Sequence, residues 1–332
     1  MMDIHEFRRL RRLLRESARR EFLDCGNDAL LPIVDAHHHY WDLSDSAHPL
    51  RYPWLQLQER IPFRYGDYSA ICRTHLPYDH GIAFSGHRWV GSVLMEGEWN
   101  PADPVGEVHW VQALAAREGT PDAMAAQIWL DREDVAEILM AYREMPIVRS
   151  VRHKPRCALR HEHRKDWAPA GSMRDRRWRD GYALLRAEGL MFEMQAPWWH
   201  VDEMIELAHD FPQTVMILNH AALPAERDEA SLKAWCAAMD RLAECENVRV
   251  KISGIGVPGQ AWTAALQAPV VRSLLAAFGV SRCAFASNFP VDGLVADLDT
   301  IFRVYKALVR DLSREDRLAL FCDNAVGWYA LH

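Results

Sequence analysis

From Pro32 onward the chain alternates between two rhythms. Short apolar runs occur at 32–37, 89–95, 124–130, 147–152, 190–195, 214–219, 248–253 and 282–287. Between them lie longer segments with apolar residues three and four positions apart, at 105–118, 132–144, 175–188, 201–210, 230–245, 262–278 and 296–310, with a last one near 313–321. The first rhythm fits buried strands and the second amphipathic helices. No single run is long enough to separate a strand from a buried helical turn, so the regular alternation carries the reading. Strands each followed by a helix, save for a long insertion after the first, predict an α/β chain folded as a (β/α)8 TIM barrel. The alternative, a doubly wound open sheet, wants a glycine-rich phosphate turn after its first strand, where this chain has histidines instead. Residues 1–24 follow another pattern, with apolar positions 7, 10, 13 and 14 among arginines. They predict an accessory helix packed on the barrel, at a candidate subunit contact. The expected organisation is a helical extension over 1–31 and one barrel over 32–332.

Composition narrows the function classes. With 332 residues, 49% hydrophobic and 26% charged, the chain is an ordinary globular protein. A formal charge of −7 argues against nucleic acid, whose binders carry a basic face. No apolar stretch is long enough for a membrane span. Seven scattered cysteines without a CxxC pair fit reduced thiols and a cytoplasmic location.

The chemistry gathers at the predicted strand ends, which in this fold converge on one mouth. Strand 1 runs into Ala36-His37-His38-His39, so His37 and His39 share one face and His38 takes the other. Two imidazoles at that spacing are a ready nitrogen pair for zinc or a similar divalent cation. Strand 2 ends in Glu96-Gly97-Glu98, strand 4 in Arg152-His153 and strand 5 in Gln195, followed by Trp198-Trp199. Strand 6 ends in Asn219-His220, strand 7 holds Lys251, and strand 8 ends in Ser287-Asn288 with Asp292 beyond. A lone His220 would read as a core histidine, and Lys251 as a buried ion-pair partner. Sharing a face with His37 and His39 makes His220 a candidate third ligand. Two long insertions follow strand ends: 40–87, rich in aromatic residues, and 153–174, rich in basic ones. The first predicts a lid, the second a surface that attracts a carboxylate.

DAHHHYWD, EGEW, SVRHKP, FEMQAPWWH, ILNHAALP, VKISGIG and FASNFPVD, in this order, resemble the amidohydrolase-2 family. More narrowly they resemble its metal-dependent TIM-barrel hydrolases, which include sugar-lactone and muconolactone-type lactonases. The likeness runs from about residue 32 to residue 329. It implies a (β/α)8 fold with His37, His39, His220 and a strand-8 acid around the reaction centre. The chain departs from the family where many relatives read Ser-Asp-x-Pro, because Asn288 stands in place of that aspartate. The departure leaves Asp292 or Glu98 as the candidate base and weakens the expected grip on a cation, whose binding is then weak or absent.

The expected reaction is hydrolysis of a cyclic ester, carboxylated or polyhydroxylated, by an activated water, since no Gly-x-Ser-x-Gly nucleophile turn is present. Asn288, Asp292, Glu98 and His220 are the candidate catalytic residues. Arg152 and His153 are expected to hold a substrate carboxylate, and Gln195, Trp198, Trp199 and Lys251 to line the pocket. A small molecule is the expected partner, with a homo-oligomer as a further possibility. Two other readings stay open: a non-oxidative decarboxylase of an aromatic or unsaturated acid, and an inactive barrel kept for binding.

Overall fold

The computed structural model describes residues 4–44 and 50–331. The first residues of the predicted N-terminal helix and part of the first insertion lie outside that set. Strands β1 (Pro32–His38), β2 (Arg88–Met95), β3 (Ala123–Gln127), β4 (Val148–Arg152), β5 (Met191–Met194), β6 (Met216–Leu218), β7 (Val248–Ile252) and β8 (Cys283–Phe285) pair in sequence order. All seven pairings are parallel. Between successive strands from β2 onward run α2 (Gly106–Glu118), α3 (Val135–Arg143), α4 (Arg176–Leu184), α5 (Val201–Asp210), α6 (Glu229–Ala243) and α7 (Ala264–Phe278), and α8 (Leu298–Leu308) follows β8. The result is a nearly closed barrel with helices between its strands.

Local chemistry accounts for the alternation. Strands buried on both faces read as continuous apolar runs rather than alternating ones. Helix starts are capped: Asp228 accepts from Ser231 N at 3.0 Å ahead of α6, and Asp297 from Thr300 N at 2.6 Å ahead of α8. In α6 the buried residues Trp235, Ala238, Met239 and Leu242 fall at helical spacing and form its inner face.

The ring closes between β1 and β8 with polar stitches. Asn288 N donates to His37 O at 2.7 Å and His39 N to Phe289 O at 2.9 Å. The fully buried Asp35 carboxylate takes the hydrogens of Ser287 N at 2.9 Å and Ser287 Oγ at 2.5 Å. A side chain thus supplies the acceptors that a continuing backbone ladder would have supplied.

Helix α1 (Ile4–Cys25) lies against the opposite end of the barrel. Its packing face differs from the predicted one. Leu10, Leu13 and Leu14 are exposed, while Ala18 and Phe22 enter the core. Arginines do the rest: Arg11 Nη2 reaches Gly119 O at 2.8 Å, Arg15 pairs with Asp122 at 2.9 Å, and Arg19 with Asp323 at 2.7 Å. Their long stems cover apolar surface while their heads find acceptors at strand and helix ends. Among the described residues no helix is long and apolar enough to cross a membrane.

Candidate active site

The strand ends meet around a cavity of about 290 Å³ at the C-terminal rim of the barrel. His39 and His220 line it, with the fully buried His37 packed against both. Ring centroids of His37 stand 5.4 Å from His39 and 4.5 Å from His220. His38 faces away, its ring 4.4 Å from His80 and 4.5 Å from Tyr40.

His220 is held by an unusual backbone. Residues 220–223 all take positive φ, at 53°, 53°, 56° and 58°, a left-handed turn with no glycine in it. Such residues cost roughly 1–2 kcal/mol each, so the surroundings must enforce the turn. Trp235 Nε1 donates to Ala221 O at 2.9 Å, Leu223 N closes onto His220 O at 2.8 Å, and His220 Nδ1 lies 3.0 Å from Ser253 Oγ. Gly254, at φ +58°, leaves the space: a Cβ there would stand 2.4 Å from His220 Nδ1. Asn288 and Glu98 also take positive φ, so with His220 and Leu223 four cavity-lining residues sit in this sparsely used region.

The electrostatics keep the imidazoles neutral. Burial, reinforced by Arg152, pushes His39 down to about 3, and burial also depresses His37 and His220, helped by His220 and Arg64 respectively. His39 Nδ1 lies 3.1 Å from Met95 O. A carbonyl only accepts, so the proton sits on Nδ1 and the lone pair on Nε2. Both nitrogens of His37 are buried without a partner. Neutral imidazoles with one nitrogen tethered and the other open suit a borderline cation. Asn288 adds at most an amide oxygen. The donor types therefore suit a divalent metal, though without a carboxylate, and the three imidazoles do not bring one nitrogen each within 4.8 Å of the others.

A second cluster brings its donor atoms closer together. Among the described residues, His163, His200 and Glu203 form the group of three whose donor atoms all lie within 4.8 Å of one another. However, His200 Nε2 accepts from Ala158 N at 3.0 Å, so its proton is on Nδ1, which lies 3.1 Å from Glu203 Oε1. His200 has no lone pair left for a metal. The cluster fastens the second insertion to α5.

Placement separates the other predicted residues. Arg152, Gln195, Glu98 and Asn288 line the cavity. Arg152 is clamped, with Nε 2.5 Å from Glu96 Oε1, Nη2 2.7 Å from Glu96 O and Nη1 3.0 Å from Gln195 Oε1. Four expected pocket residues do not line it. His153 turns outward, accepting from Leu130 N at 3.1 Å and Trp178 Nε1 at 3.0 Å. Trp198 stacks under Arg160 at 4.5 Å, and Trp199 Nε1 donates to Ala158 O at 2.9 Å, so both anchor the second insertion. Lys251 is fully buried, 2.9 Å from Glu193 Oε2. Asp292 stands behind Asn288, whose Nδ2 donates to Asp292 Oδ1 at 2.7 Å.

Sequence reasoning missed Arg64, which lines the cavity from the first insertion. Arg64 Nη2 and Tyr65 OH reach Asp292 Oδ1 at 3.3 and 3.0 Å. Lys154, one residue past His153, also lines the cavity and donates to Glu98.

The amidohydrolase family model matches residues 34–331. The chain belongs to the amidohydrolase family. An uncharacterized protein of Sinorhizobium fredii, y4mH, is 33% identical over 300 residues, covering 90% of this chain and 98% of the relative. An L-fucono-1,5-lactonase of Burkholderia multivorans is 34% identical over 128 residues, which span 35% of this chain and 43% of the lactonase. An amidohydrolase from Burkholderia multivorans, solved with bound HEPES, superposes with a TM-score of 0.73 at 23% identity over 90% of this chain and 99% of that one. The same kind of protein was also solved with bound zinc, at 22% identity. A 2,6-dihydroxybenzoate decarboxylase from Rhizobium superposes at a TM-score of 0.59 and 12% identity, over 90% of this chain and 99% of that one. At these identities the solved structures share the fold with this amidohydrolase.

Proposed function

We propose that this amidohydrolase opens a small cyclic ester by attack of water. One observation carries the reading. Among the described residues, the cavity lining holds two neutral imidazoles, carboxylates and cationic side chains, but no serine, threonine or cysteine. Without a hydroxyl or thiol nucleophile, water is the economical attacker. The partial likeness to a lactonase supports an ester ring as its target.

Roles follow from which atoms are free. Glu96 has Oε1 on Arg152 and Oε2 on Glu98 N at 2.6 Å, so it orients rather than reacts. Glu98 lines the cavity with one oxygen on Lys154 and the other open. It accepts the proton of the attacking water as the new C–O bond forms. It returns that proton to the ring oxygen as the ester C–O bond breaks, leaving a hydroxy acid. Asn288 gives its N–H to Asp292, which turns its carbonyl oxygen away from that carboxylate as an acceptor for the water. His37, His39 and His220 would hold a divalent cation, which supplies Lewis-acid polarisation of the carbonyl.

The test is a pH-indicator screen of the chain, with and without zinc, over aliphatic and sugar lactones and aromatic acids. Proton release with a lactone, lost in Glu98→Gln, is the expected result. Carbon dioxide from an aromatic acid would favour decarboxylation, the activity named for one structural neighbour. A folded chain that turns over nothing would leave a binding module.

A further inference from the structure

The cavity contains three cationic side chains, and they are not equivalent. Arg152 is buried, and its three nitrogens already donate to Glu96 and Gln195. Lys154 is paired with Glu98, the carboxylate assigned the proton transfer. Arg64 differs from both. Its Nη2 is committed to Tyr65 OH and Asp292, while Nε and Nη1 have no hydrogen-bond partner among the described residues. Its side chain is 30% exposed and lines the cavity.

Arg64 is also held in place. Its guanidinium lies 4.3 Å over the Tyr65 ring, and the residues just before it, Ile61 to Phe63, wall the same cavity. Phe63 stacks on Trp54 at 5.8 Å, and Trp54 Nε1 donates to Gly97 O at 2.8 Å. The first insertion is thus pinned to the turn after β2, and the guanidinium is presented on a built support.

Arg64 lies beside His220. The point where a Cβ on Gly254 would stand is 2.4 Å from His220 Nδ1 and 2.9 Å from Arg64 Nη2. The committed end of Arg64 therefore lies near the Ser253-tethered edge of the imidazole, and both residues line the same cavity. The cavity, about 290 Å³, lies at the small end of ligand pockets.

We propose that Arg64 is the specificity-determining residue, recognising a substrate carboxylate close to the reacting carbonyl. The substrate class is then a compact lactone bearing its carboxylate on or next to the ring. The proposal rests on the hydrolytic reading for the ester ring, but not for the anion. Arginine suits the task because its planar fork matches a carboxylate, and charge-assisted hydrogen bonds are the stronger kind. Arg64 takes the place that residue type alone had assigned to Arg152 and His153.

The test compares binding of 5-oxotetrahydrofuran-2-carboxylate with its carboxamide by calorimetry, in the full chain, alongside hydrolysis of both. The two probes share the ring and differ in charge. The expected result is about tenfold or greater preference for the acid, equivalent to one well-made charged contact. Arg64→Ala and Arg64→Gln should bring that ratio to about one, and Arg64→Lys should restore part of it. The ratio is the readout because loss of support for Asp292 would weaken both probes together. Circular dichroism identifies any variant that fails to fold, and the remaining variant then decides. No binding of either probe at millimolar concentration, equal binding of both, or a ratio that survives loss of Arg64 but falls in Lys154→Ala would each overturn the proposal. An acid preference that depends on Arg64, with no hydrolysis of any lactone, would keep the anion site and sink the ester reading instead.

Discussion

Two polar layers are stacked inside one barrel, and they differ in how completely their atoms are paired. In the first, the buried Glu193 receives Ser150 Oγ at 3.0 Å, Asn219 Nδ2 at 2.6 Å, Lys251 Nζ at 2.9 Å and the Tyr329 hydroxyl. Both carboxylate oxygens are occupied. In the second, at the rim, His37 has two nitrogens and Asp292 one oxygen without a partner. Burial alone does not distinguish the layers, since Glu193, Lys251, His37 and Asp292 are all fully buried. What separates them is the satisfaction of their ionisable groups: the Glu193–Lys251 pair is saturated, even though Asn219 Oδ1 beside it has no partner, whereas the ionisable groups at the rim keep open positions.

Substitutions should split the two layers. Lys251→Ala leaves Glu193 as an uncompensated buried charge and should lower the unfolding free energy by about 3–5 kcal/mol in urea titrations. The double replacement Glu193→Leu with Lys251→Met removes both charges but leaves the Ser150, Asn219 and Tyr329 donors without their acceptor, so it should recover only part of that loss. His220→Ala should behave in the opposite way. Turnover should fall about a thousandfold, within the range for a removed acid–base or electrostatic group, while stability changes by about 1 kcal/mol or less. A large stability loss in His220→Ala with turnover intact would place it in the structural layer.

The barrel was legible because strands buried on both faces leave apolar runs that no surface helix would tolerate, and all eight appear at their expected positions. The predicted strands overran at their ends, where Asn219 and Ser287 leave the ladder for turns. Periodicity also placed His37 and His39 on one face and His38 on the other. It could not show which rim residues are open. Glu96, 56 residues before Arg152, clamps the arginine that composition had offered to substrate. One position separates His153, facing Trp178, from Lys154, facing the cavity. Arg64 lies in an insertion with no periodicity, so nothing in the sequence marked it. The left-handed turn at 220–223 was equally hidden, because alanine and leucine carry no signature for it.

Acid sharpens the comparison. In metal-free protein His39 titrates at about 3, against about 6.5 in the unfolded chain. Between those values the unfolded chain binds a proton that the folded one refuses. Stability is therefore full above about pH 6.5 and is lost as pH falls toward about 3. From about pH 7 to about pH 5, His39 alone should account for roughly 2 kcal/mol. His75, pushed by burial to the same value, adds to the slope. Amide exchange should report opening around β1 and the 220–223 turn first. Zinc should move that opening to lower pH if the imidazoles bind it, because a ligand held only by the folded state stabilises it. An acid midpoint indifferent to zinc would argue that the rim is only a second structural layer.

The smallest expected effect tests whether strain at the rim is real. Ala222 is fully buried at φ 56°, a conformation that glycine adopts freely and alanine resists. In an ordinary turn, Ala→Gly costs stability because the unfolded chain gains freedom. Here the relief of strain, about 1–2 kcal/mol, should exceed that entropic cost and leave a net gain of about 0.5–1 kcal/mol. Turnover should not rise with it, since His220 two residues away depends on the turn being rigid. A stability loss of about 1 kcal/mol would mean that the segment relaxes out of the left-handed region in solution. His220 would then lose the support that aligns it with His37 and His39, and the contrast between a saturated layer and a strained, open one would fail at its most specific point.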